Sequence, residues 1–258
     1  MLELLREVKV EEFVEKFKNK DLHEVLEATI EFNNYRNYYN IDKMGNIKTK
    51  LPNEALIKLS LLGNEFLAEY FEKGLFITEK RKIHKIDRLS EFTVEHLEKN
   101  LYKIFLNRDI NIAYRYVKEF ILKDKDFFIK KLSHFVLLNS LNSFKSLITI
   151  SFIKALENVN KKNIDSIIYS YLPYVVTFPS TIDTNSETEI KSYNIESLDL
   201  NALAYLNLIK FGYEEYNKIY FGKLSKYMEE KKDFLNDKEI FERLCEDKDE
   251  LYKMWSRA

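Results

Sequence analysis

Five glycines and three prolines in 258 residues leave this chain few ways to turn. Average usage would supply about 18 glycines and about 13 prolines at this length. Tight hairpins depend on those residues for positive or preset φ, so long segments joined by short polar connections are expected. The apolar residues agree, recurring three and four positions apart as on a helix face. Leu97, Leu101, Ile104 and Phe105 form one stripe, and Ile110, Ala113, Val117, Phe120 and Ile121 the next. No alternating run of β-branched residues marks a sheet. The expected fold is all-α, a single compact domain over residues 1–258 with further helices over 216–258.

Asp21 and Glu24 read as a capping box before the first clear helix. Residues 33–50, rich in Tyr and Asn, read as a loop. Pro52 opens a helix through Leu56, Leu59, Leu62, Phe66 and Tyr70, ended by Gly74. The stretch Leu141 to Val159 is apolar on most of its circumference and predicts a central buried helix. The next helix, from Ile164 to Tyr174, is halted by Pro173. Residues 177–197 are polar, rich in Ser and Thr, and long for a connection, which predicts a lid over a pocket mouth. Asp237 is placed to cap a C-terminal helix.

A net charge of −1 provides no basic excess for phosphates, so no nucleic-acid partner is expected. One cysteine, Cys245, excludes an internal disulfide. Met1 to Glu12 alternate apolar and charged groups, unlike a signal peptide. The apolar stretch from Leu132 to Leu156 is broken by His134, Asn139, Asn142, Lys145 and Lys154, unlike a membrane span. These features predict a cytoplasmic protein that does not enter the membrane.

Four histidines are candidates for chemistry. His23, His84 and His96 read as solvated, and none pairs with Cys, His or carboxylate at metal-ligand spacing, so no metal is expected. His134 lies within the apolar run LSHFVLLNSL, which predicts burial and a lowered pKa. Asn139, Asn142, Lys145, Ser146 and Ser151 belong to the same apolar region and must find partners or line a cavity. For Lys145 two readings stand: an ammonium snorkelling to the surface, or a cation in a ligand pocket. Tyr171 and Tyr174, leading into the long loop, suit a planar ligand. The pocket candidates are therefore Lys145, Asn201, His134, Asn142, Tyr171 and Tyr174.

Several segments carry a family resemblance. TKLPNEALIKLSLLGNEFLAEYFEKG, SFKSLITISFIKAL, YSYLPYV and LDLNALAYLNLIKFG resemble the questin oxidase-like family over residues 20–215. Pro52, Ala55, Leu56, Leu62, Gly63, Phe144, Leu147, Ile148, Ala155, Leu156 and Ser170 to Pro173 match its pattern. The resemblance implies oxygen-dependent ring cleavage of an aromatic, polyketide-like compound with NADPH. It also implies histidines on or near Lys50, Lys145 and Asn201, where this chain has none. Two functions are therefore expected as alternatives. One is a questin oxidase-like oxidoreductase. The other is a catalytically inactive helical module that binds a hydrophobic or aromatic small molecule or a protein.

Overall fold

The computed structural model describes residues 15, 18–33, 39–41, 43–45, 47–49, 54–64, 89–139, 141, 144–157, 164–177, 189–230 and 237–255. The described elements are α1 (Leu22–Asn33), β1 (Tyr39–Ile41), β2 (Ile47–Thr49), α2 (Glu54–Leu62), α3 (Val94–Asn107), α4 (Ile110–Lys123), α5 (Lys125–Leu137) and α6 (Lys145–Glu157). After these come α7 (Asp165–Thr177), a 3₁₀ turn at Ile195–Ser197, α8 (Leu200–Ile209), a second 3₁₀ turn at Glu214–Tyr216, α9 (Asn217–Glu229), α10 (Lys238–Leu244) and α11 (Lys248–Trp255). The fold is all-α, with one small hairpin.

Short polar side chains start the helices, accepting a bond from an otherwise orphaned backbone N–H. Thr93 accepts from His96, Asp109 from Ile112, Asp124 from Phe127, Asp199 from Ala202 and Asp237 from Ile240. Asp21 caps α1 in the same way, accepting from the Glu24 N–H at 2.8 Å.

The core is built around two helices, where the sequence predicted one. On α6 every residue but Lys154 and Glu157 is buried, and on α8 every residue is buried. α6 packs on α2, α5, α7 and α8, and α8 also touches α9 and α10. α7 closes the other side, packing on α1, α4 and α6. α6 begins at Lys145, not at Leu141, so Lys145 starts that helix and does not interrupt it.

Pro173 does not halt α7, which continues to Thr177. The proline removes one backbone bond, a penalty of about 3 kcal/mol. Burying Tyr174, Val175 and Val176, all at 3% exposure or less, returns about 1.5–3 kcal/mol for each valine. The helix after Pro52 is shorter than expected: α2 ends at Leu62, and Gly63 takes φ +94 in the left-handed region that closes a helix. Gly74 lies outside the described residues. The segment read as a loop holds the hairpin, with Tyr39 opposite Thr49 and Ile41 opposite Ile47. Gly45, at φ +84, lies between the strands.

The predicted lid is corrected at both ends. Thr177 belongs to α7, and Glu189 to Ser197 run along α9 and α11. The Trp255 indole donates to the Lys191 carbonyl at 3.1 Å, and the Lys191 N–H donates to Ser225 Oγ at 3.0 Å. The Ile195 N–H reaches Tyr252 Oη, and Ile195 itself is buried. Residues 178–188 lie outside the described residues.

Candidate functional site

Lys145 is 1% exposed, so the snorkelling reading fails. Its Nζ lies 5.6 Å from the centre of the Phe135 ring, a cation–π contact. Burial, followed by repulsion from Arg108, lowers its pKa to about 8. The position adds to this, because the positive end of the α6 dipole disfavours another cation.

Asn201, 2% exposed in the first turn of α8, sends its amide to the carbonyl of Leu141. That ties α8 to the connection leading into α6. Beside it Tyr227 Oη donates to Asp199 Oδ2 at 2.8 Å. The Asn201 amide nitrogen thus holds the α5–α6 connection, while its Oδ1 is buried without a hydrogen-bond partner. Asn142 lies outside the described residues.

The remaining pocket candidates go elsewhere. Tyr171 is fully buried, stacks on Phe152 at 5.6 Å and donates to the Leu56 carbonyl at 2.9 Å, tying α7 to α2. Tyr174 is buried in the core. His134 adjoins Phe135 on α5, and neighbouring side chains on a helix diverge by about 100°, so it faces a different set of residues from Lys145.

That set is aromatic. His134 is 8% exposed, and its ring centre lies 4.5 Å from Tyr216, 5.0 Å from Tyr213, 6.0 Å from Tyr220 and 6.1 Å from Tyr102. Its Nδ1 is 2.5 Å from Tyr220 Oη. An imidazole with its ring proton on Nε2 accepts from the phenol at Nδ1. Burial, then the Lys131 charge, lowers the His134 pKa to about 4 against an opposing pull from Glu215. Burial raises the Tyr220 phenol well above its ordinary value. At neutral pH the pair is therefore a neutral imidazole and a neutral phenol.

Lysines close the cluster. Lys130 and Lys131 stand 4.4 and 4.9 Å from the centre of the Tyr213 ring. Lys131 also pairs with Glu98 at 2.5 Å; burial works to lower its pKa, but the Glu98 carboxylate prevails and raises it. Gly212 lets this turn approach α5: a Cβ there would stand 2.9 Å from Leu137 Cδ1 and from Tyr220 Cε2. The sequence reading passed over Tyr102, Tyr213, Tyr216 and Tyr220. Their signal was the GYEEYNKIY spacing of three and four, which puts Tyr213, Tyr216 and Tyr220 on one side if the segment is helical.

Of the other histidines, His23 is only partly exposed. Its Nδ1 meets Ser166 Oγ at 2.6 Å and its Nε2 stands 3.5 Å from Glu27, joining α1 to α7. His96 is exposed and stacks on Phe92 at 4.1 Å. His84 lies outside the described residues. Among the described residues no three His, Cys, Asp or Glu gather as a metal set, and no helix is long and apolar enough to cross a membrane.

A cleft of about 1120 Å³ opens between the start of α5, the end of α8, the start of α9 and α11. Ile129, Ile209, Phe211 and Met254 give it an apolar lining, and Lys125, Asp126, Glu214, Glu215 and Lys218 add charges of both signs. Lys210 is fixed at its edge by Asp247 and Glu250 at 3.1 and 2.9 Å. Lys130, Gly212 and Glu215 belong both to this wall and to the surroundings of His134. A smaller cleft of about 590 Å³ lies between α1 and α2. Neither is lined by any of the six pocket candidates. No family model, curated protein or solved structure matches the chain.

Proposed function

We propose that this chain is a non-catalytic helical binding module that takes a small amphipathic molecule in the cleft between α5, α8, α9 and α11. The observation that carries this reading is the cleft itself. Its volume of about 1120 Å³ is on the scale of small-molecule sites, about 300–1,000 Å³. Its apolar residues suit a hydrophobic or aromatic body, and its mixed charges suit a ligand with polar ends. A protein segment with the same chemistry would fit a cleft open to solvent. The charge balance disfavours nucleic acid, and a cytoplasmic location goes with this reading.

The questin oxidase-like oxidoreductase, using NADPH on an aromatic compound, is the second reading. One observation favours it: the neutral His134–Tyr220 pair behind the cleft wall. Calorimetric titration with 8-anilinonaphthalene-1-sulfonate, an aromatic anion, tests the first reading. Saturable binding at one site, abolished by Met254→Glu, is expected. Unchanged binding in that variant would remove the cleft from the proposal. NADPH-dependent oxygen uptake with an anthraquinone substrate would put the oxidoreductase in front.

A further inference from the structure

We propose that α11 is a hinged wall of the large cleft, held shut by Lys210 as its latch. Successive residues on a helix turn by about 100°, which sorts this segment into two edges. Asp247, just before α11, falls on one edge with Glu250 and Met254, and the last two line the cleft. Leu251, Tyr252 and Trp255 fall on the other edge, against residues 191–195 and α9.

The second edge is the firm one. Leu251 is fully buried and Trp255 nearly so. The Trp255 ring centre lies 5.9 Å from Tyr193 and 5.8 Å from Phe221. Trp255 also donates to the Lys191 carbonyl, and Tyr252 donates to Asn194 Oδ1 at 2.8 Å. The chain is pinned again before the helix, where the Leu244 carbonyl accepts from the Asn207 amide at 3.0 Å. Residues 245–247 form the turn between.

The cleft edge is held differently. Lys210, the C-cap of α8, stands 3.1 Å from Asp247 and 2.9 Å from Glu250. The lysine is largely covered, but the two carboxylates are 67% and 62% exposed. Ion pairs open to water in this way contribute little and are screened by salt; buried aromatic contacts are not. Release of Lys210 therefore lets α11 roll about its Leu251–Trp255 edge. That motion carries Glu250 and Met254 away from Ile129, Ile209 and Phe211 across the cleft. The latch sets access to the cleft, a role that rests on the reading of the cleft as a binding site. The motion itself needs no ligand.

The test is a distance across the cleft, read by pulsed electron paramagnetic resonance. Nitroxides are placed at Asp126→Cys on α5 and Lys253→Cys on α11, both exposed positions, in a Cys245→Ser chain. One distance is expected in about 0.01 M salt, and a second, longer one should grow in about 1 M salt, as the Debye length falls from about 30 to about 3 Å. Lys210→Met keeps the stem and removes the charge, so it should show the longer distance at both concentrations. It should also speed the association of 8-anilinonaphthalene-1-sulfonate in stopped flow. Trp255, the chain's one tryptophan, reports on the hinge, and its emission should stay that of a buried indole throughout. A distance unmoved by salt and by Lys210→Met would overturn the proposal. So would a water-exposed Trp255 in Lys210→Met, which would mean that α11 detaches and does not turn. Dye that enters both chains at one rate would overturn the control of access. A lengthened distance with no dye binding to either chain would remove the binding reading and leave the hinge standing.

Discussion

Replacing Lys145 by Met should stabilise the fold, by an amount that depends on pH in a known direction. Lys145 is 1% exposed, so solvent screening gives no relief. Holding its pKa at about 8 and not at 10.5 disfavours the charged folded form by about 3 kcal/mol. In the window between those values the unfolded chain binds more protons than the folded one, so this group makes stability rise with pH. Below about pH 8 the whole penalty is present, and it fades as pH climbs toward 10.5. Met keeps the stem volume and removes the charge. Lys145 also has an interaction inside the fold, and losing it gives back about 1 kcal/mol. The net expectation at pH 7 is a gain of about 2 kcal/mol, shrinking and then reversing in alkali. Urea unfolding of both chains at fixed ionic strength, across about pH 6 to about pH 10, measures the difference and cancels the titration of the tyrosines. A Met variant that is less stable at pH 7, or a difference that does not move with pH, would refute this reasoning. It would mean that Lys145 is a compensated cation doing necessary work. The same variant tests the pocket reading of Lys145, which requires ligand binding to disappear while the fold survives.

Two further outcomes follow from the tyrosine cluster. His134 is held at a pKa of about 4, below its ordinary 6.5, so the unfolded chain takes up its proton first. It should therefore cost about 3 kcal/mol of stability as pH falls from 6.5 to 4, and His134→Gln should remove that part of the acid slope in denaturant titrations. Gly212→Ala should destabilise by about 1–3 kcal/mol, read as a lowered urea midpoint, because its Cβ would meet Leu137 and Tyr220 at 2.9 Å.

Sequence alone determined the class of this fold and much of its local grammar. Where glycine and proline are scarce and apolar residues repeat at helical spacing, backbone hydrogen bonds close within each segment, and nearby residues decide the outcome. That is why Asp21 and Asp237 were legible as caps, and why the stretch through Leu147, Ile148 and Phe152 was legible as a buried helix. The burial of His134 was legible for the same reason, since it lies inside an apolar run. Tertiary packing decided which polar groups meet. His134 and Tyr220 are 86 residues apart, Asn201 and Leu141 60, and His23 and Ser166 143, and no local spacing encodes such pairs. Packing also overrode local rules. Pro173 stays inside α7 because the residues beyond it are buried, and Lys145 is 1% exposed although burial disfavours its charge. A side chain's partner and its charge depend on what the rest of the chain folds against it, and that is a non-local quantity.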